Sequence, residues 1–273
     1  MELSESKISV AETVEFIKTC IDRRKSSVPA GRRVRRSVVQ SQVNPTKELD
    51  ALMLGDALVG YGNNMTLENM TIMENLMSMA ILEANASFPD GKNTHEWYEE
   101  FIQCLESLGC FVPDSGYTRY SESSVRVDLD LVIKDIVKGI IDGVKAGFPA
   151  ATVLGAVVDT TIDGLKQDDK TINLFHSQAK TFDGARLSVI PCEQLSNGLL
   201  IASAASIKQS GSSNEGGVLF VNWRASAREF FRGKSFLTFN PARYETFRQE
   251  IEEYLGQYRK EALSKRFSRR KRG

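Results

Sequence analysis

Histidine is almost missing from this chain: among 273 residues only His95 and His176 occur. That scarcity removes most zinc sites built from His and Cys, and it leaves only two imidazoles for a Ser/His/Asp or Cys/His device. The four cysteines, Cys20, Cys104, Cys110 and Cys192, include no Cys-x-x-Cys pair, so neither a metal-ligand spacing nor a disulfide framework is written here, and reduced thiols are expected. No Gly-x-Ser-x-Gly elbow occurs. Gly233-Lys234-Ser235 copies the end of a phosphate-binding loop, but Arg228 stands where that loop needs glycine. Gly60-Tyr61-Gly62 lacks the third glycine of a dinucleotide fingerprint. Long apolar runs are also missing. The longest uncharged stretch of the apolar middle, residues 146–158, is broken by Pro149 and falls well short of the ~20 residues of a spanning helix. The N-terminus, Met1-Glu2-Leu3-Ser4-Glu5, has no basic start or apolar run of the kind that directs export, so a cytoplasmic protein is expected. No catalytic residue, metal ligand or cofactor-binding residue is assigned, and a non-enzymatic protein is expected.

Charge is distributed less evenly than its zero sum suggests. Seven basic residues and no acid lie between Arg23 and Arg36, and six more with no acid lie between Lys265 and Arg272. With those thirteen set aside, 22 of the 35 basic residues face 35 acidic ones, so the body is negative by 13. Basic arms on an acidic body seek an anionic surface: nucleic acid, a membrane, or the body of a neighbouring copy. Arg32, Arg33, Arg35 and Arg36 in a linker spanning 26–44, and Arg266, Arg269, Arg270, Lys271 and Arg272 in the tail, are the candidate partner-binding residues.

The pattern of apolar residues divides the chain into a helical region, 1–112, and a second unit, 113–273. Ser9-Val10-Ala11-Glu12 has capping-box spacing before a first helix. Asn44-Pro45 reads as the start of a helix with Leu49, Leu52, Met53 and Leu58 on one face, ended by Gly60 and Gly62. Thr66 begins a methionine-rich helix, in which the methionines read as core and not as an adaptable groove. Thr94 begins another, carrying Trp97, Phe101, Leu105 and Leu108. Residues 113–126, rich in Ser, Gly and Tyr, read as a connector.

The strongest periodicity comes next. Leu129, Val132, Ile133, Ile136, Val137, Ile140, Ile141 and Val144 form one stripe at helical spacing, with Asp130–Lys134 and Lys138–Asp142 pairs opposite. A second helix with Leu154, Val157, Val158 and Ile162 completes a hairpin over 127–166. Gly139, Gly143 and Gly147 flank its stripe and read as residues that admit a close neighbour. Five segments after Thr171 have strand character, the first four separated by Asp183-Gly184, Asn197-Gly198 and Glu215-Gly216-Gly217, and Asn240-Pro241 opens a final helix. The fold class expected is therefore α+β: a helical N-terminal half, a central amphipathic hairpin, then about five antiparallel strands closed by a helix. Trp223, Arg224, Phe230 and Phe231 place aromatics beside arginines near a sheet edge and are a candidate interface.

These features favour a binding or self-assembling protein, a homo-oligomer or the partner of another protein. Two other readings stand beside it: a membrane-active protein, resembling a pore-forming toxin, that uses the 127–166 hairpin, and non-specific nucleic-acid binding through the basic segments.

Overall fold

The computed structural model describes residues 6, 8–26, 51–89, 94–120, 126–127, 129–166, 180–181, 184–210, 223–224 and 230–257. The fold is α+β, as expected. It is built on one mixed sheet with helices on both faces.

The capping box forms: Glu12 N–H donates to Ser9 Oγ at 3.2 Å and Ser9 N–H to Glu12 at 2.7 Å, and α1 runs Val10–Ser26. The helix expected after Pro45 is overturned. Residues 44–50 lie outside the described residues, and the segment after them is a hairpin of β1 (Ala51–Leu54) and β2 (Ala57–Tyr61), turned at Gly55 with φ of 64°. The apolar residues misled because β2 lies inside the sheet and is buried throughout, which removes the alternation that marks a strand. α2 (Leu67–Ser87) starts where expected, with Thr66 accepting from Asn69 N–H, and α3 spans Thr94–Ser107. Met73, Met77 and Met79 are fully buried core, as read. Gly109, at φ of 94°, ends this region; a Cβ there would fall 2.9 Å from the Arg243 guanidinium carbon.

The expected connector is also overturned. Phe111–Tyr120 is β3, the last strand on one side of the sheet. An edge strand tolerates Pro113 and a polar outer side, so its composition imitates a loop. The hairpin comes next as α4 (Leu129–Val144), a 3₁₀ turn at Pro149–Thr152 and α5 (Val153–Lys166). β4 (Arg126–Val127) pairs with β8 (Trp223–Arg224) in a separate two-stranded ribbon. β5 (Lys180–Thr181) pairs with the start of β6 (Gly184–Gln194), which turns at Gly198 into β7 (Leu200–Ser210); β9 is Phe230–Phe239. Asn240 then caps α6 (Pro241–Tyr244), and a terminal helix covers 248–257.

The sheet order is β1-β2-β6-β7-β9-β3. It is mixed, not wholly antiparallel: β2 and β6 run parallel, with Ala57 opposite Ser188 and Tyr61 opposite Cys192. Strands from both sides of the expected boundary at residue 112 share this sheet. Alternation along β6, β7 and β9 sends Leu187, Val189, Ile201, Ala205, Ile207 and Phe236 to one face, where α4 and α5 cover them. The other face sends Ile190, Ala202, Ala204, Leu237 and Phe239 into a larger core with α1, α2, α3 and the terminal helix.

Candidate functional site: a helical hairpin seated on the sheet

Seven residues of the sequence stripe, from Val132 to Val144, are buried against the sheet. α5 adds Leu154, Val158 and Ile162, and Phe148 in the bend lies 5.2 Å from the Phe236 ring. α5 rides close over β2 because Gly60 has no side chain: a Cβ there would sit 2.9 Å from Thr161 Cβ, and one at Gly62 would sit 3.0 Å from Val157 Cγ2. Of the two glycines read as helix terminators, Gly60 is a seat for this helix, and Gly62 makes room first for the Glu193 side chain of β6 and then for Val157.

The charges of the hairpin bind within it. Lys134 leaves the expected partner on its own helix and reaches α5, 2.8 Å from Asp159 and 3.8 Å from Asp163. The Asp159 carboxylate holds its ammonium above the ordinary lysine range. Lys145 pairs with Asp142 at 2.7 Å. Asp130 apart, no side chain of the hairpin makes a hydrogen bond or ion pair to the sheet among the described residues. Ser203, in the middle of β7 beneath α4 and α5, is fully buried, and its hydroxyl has no partner among the described residues.

The opposite layer is held differently. Tyr98 of α3 bonds Ser235 at 2.8 Å and donates to the Ala204 carbonyl, tying the helix to β9 and β7. Arg186 of β6 sits 3.5 Å above the Trp97 ring, 2.5 Å from Asp56 and 3.0 Å from Asn85. Asn75 donates to Tyr244 at 2.6 Å. Glu83, only 1% exposed, accepts from Arg23, Arg24 and Tyr254, joining α1 and the terminal helix to α2. One helical layer is thus cross-linked by buried polar bonds, and the other rests on apolar contact.

The glycines of α4 do not serve close packing. Gly139 is exposed with nothing within 4 Å of a Cβ position, and Gly143 meets only Asp114 Oδ2, at 3.7 Å. This corrects the reading of a close neighbour at that stripe.

Other sequence candidates separate. Arg32, Arg33, Arg35, Arg36, Arg266, Arg269, Arg270, Lys271 and Arg272 lie outside the described residues, as does His176. His95 is an exposed residue 3.4 Å from Glu99. Trp223 and Arg224 lie in the small ribbon, and Phe230 and Phe231 lie on β9. β9 is no edge, since β7 and β3 flank it, and Phe231 stacks on Tyr117 with ring centroids 5.8 Å apart. What the sequence could not show was the difference between the two layers, because it depends on which polar groups meet across the sheet.

No protein-family model and no curated protein matches the chain. Among solved structures it is similar to a delta-endotoxin, at 16% identity over 78% of this chain and 89% of that one, with a TM-score of 0.37. It is similar to the activated Cyt2Ba monomer from Bacillus thuringiensis subsp. israelensis, at 12% identity over 67% and 95%, with a TM-score of 0.34. It is also similar to the Evf virulence factor, at 10% identity over 80% and 85%, with a TM-score of 0.27.

Proposed function

We propose that this protein acts on membranes, and that the α4–α5 hairpin is the element that leaves the fold to meet lipid. The observation that carries the reading is the seam beneath it: an apolar stripe on an apolar sheet face, with the ion pairs of Lys134 and Lys145 closed within the hairpin. Contacts of that kind have no direction. Hydrocarbon is as apolar as Leu, so exchanging the sheet face for a lipid surface gives up little that lipid cannot return. Breaking the opposite layer would strand buried charges and hydrogen-bond donors, which is far more costly.

The hairpin would lie in the interface instead of spanning it. At 1.5 Å per residue, the 16 residues of α4 and the 14 of α5 reach about 24 and 21 Å, short of the ~30 Å hydrocarbon core. Among the described residues no helix is long and apolar enough to cross a membrane. An apolar face opposite Lys134, Lys138, Asp142 and Lys145 fits the interfacial class. The ten basic residues of the linker and tail would favour anionic lipid; Arg23 and Arg24, which stand before them on α1, are committed to Glu83. The charge-based readings, self-assembly and nucleic-acid binding, rest on those segments and gain no geometry from the fold.

The test is a tether. A Cβ at Gly143 would stand 3.7 Å from Asp114 Oδ2 and more than 4 Å from Asp114 Cβ, so Asp114→Cys with Gly143→Cys, bridged by a short bis-methanethiosulfonate cross-linker, should tie α4 to β3. Wild type is expected to release dye from anionic vesicles. The cross-linked double variant should release little, with recovery on reduction. Release that ignores the tether, or wild type that leaks no dye between pH 4 and 9, overturns the reading.

A further inference from the structure

At the end of the sheet where the hairpin bends, three connections converge: the bend itself at Phe148, the β6–β7 turn at Asn197-Gly198, and the β9–α6 junction at Asn240-Pro241. They enclose a cleft of about 400 Å³, within the ordinary size of a small-ligand site. None of the residues lining it is charged.

Its polar groups are already oriented. Asn197 Oδ1 accepts from Leu199 N–H and Asn240 Oδ1 accepts from Ala242 N–H, both at 3.1 Å. Those bonds settle which end of each amide is oxygen. They leave both Nδ2 groups, on exposed residues lining the cleft, with no partner among the described residues, four N–H donors in all. Thr238, also in the lining, is 4% exposed, and the exposed part includes its hydroxyl oxygen, which has no hydrogen-bond partner among the described residues. An accessible hydroxyl on an otherwise buried residue can donate to and accept from a ligand seated in the cleft. The apolar part of the lining is rigid: the Phe148 ring is braced on Phe236, and Pro241 is fixed at the first position of α6.

We infer that this cleft binds a neutral pyranose sugar. The lining offers fixed amide donors and a hydroxyl to a ligand rich in hydroxyl oxygens, an aromatic ring and a proline to its C–H face, and no charge to pair with an ionic group. An anion would find no cation here, and a purely apolar ligand would leave the amides and Thr238 unsatisfied. The site shares no residue with the Asp114–Gly143 tether, so the two proposals fail separately.

The probes are the methyl glycosides of glucose, galactose, mannose and N-acetylglucosamine, with maltose and lactose, followed by saturation-transfer NMR on the full chain. Vesicles with and without galactosylceramide or glucosylceramide, in a flotation assay, separate a lipid headgroup from a free sugar. At least one pyranoside should bind. Asn197→Asp with Asn240→Asp keeps both capping oxygens and deletes the donors, and should weaken binding about tenfold with an unchanged melting temperature. Thr238→Val should weaken it as well. Capture of glycolipid vesicles alone, or of free sugar alone, identifies the source and supports the site. The proposal is overturned if no sugar and no glycolipid vesicle binds, or if binding is the same in wild type and in both variants.

Discussion

At the scale of single residues, Glu83 concentrates the polar stabilisation of the larger core. Its carboxylate is the common acceptor of two arginines and a phenol drawn from α1 and the terminal helix, and Arg24 also lies 4.3 Å over the Tyr254 ring. Removing the charge leaves Arg24 with its side chain only 12% exposed, while Arg23, at 54%, can turn to water. Glu83→Gln should therefore cost about 3 kcal/mol in a denaturant melt, near the low end for breaking a buried pair. A loss below about 0.5 kcal/mol, the scale of an ordinary surface substitution, would show that the cluster is decorative. The thiols give a second residue-scale expectation. Burial pushes Cys20 and Cys110 up to about 12 from an ordinary 9.0, and raises Cys104 and Cys192 as well. All four should resist alkylation at pH 8 in the native state and react once the chain is denatured.

At the scale of elements, glycines at different places in the hairpin and its seat should behave oppositely. Gly139 lies on the open face of α4, where alanine gains helix propensity and meets nothing. Gly139→Ala should stabilise by about 0.5–1 kcal/mol. Gly60 lies beneath α5, where a Cβ would strike Thr161, so Gly60→Ala must lift the helix and should destabilise by roughly 1–3 kcal/mol. If hairpin release limits activity, Gly60→Ala should also speed dye release from vesicles. Equal release in the presence of measured destabilisation would mean that the weakened seat does not set the rate.

For the whole molecule, the buried thiols set a direction for stability against pH. Their folded values lie above the unfolded one, so the folded state holds protons that the unfolded state gives up. The stabilisation is complete below pH 9 and is lost as pH rises from 9 toward 12. Buried tyrosines add in the same direction, since desolvation also raises Tyr61, Tyr98 and Tyr254. Melting temperatures measured from pH 8 to 11 should fall steadily above 9; a flat profile would contradict this linkage.

The sequence by itself determined several elements through local signals, although Asn44-Pro45, a signal of the same kind, is followed from Ala51 by a hairpin and not a helix. The capping box of α1, the Thr66 cap, the stripe of α4, the strand Phe230–Phe239 and the Asn240-Pro241 start each depend on residues within a few positions of one another, and each formed where the pattern placed it. Tertiary structure decided what depends on partners distant in the chain. β2 became an interior strand because β6 pairs beside it, and β3 became an edge strand because β9 accepts it. Lys134 chose Asp159 on the facing helix over a partner on its own. The two kinds of helical layer, one cross-linked and one merely seated, and the donors gathered around Thr238, exist only after the sheet brings together residues far apart in the chain. Apolar periodicity records which side of an element is buried; it carries no record of which polar group will be found across the interface.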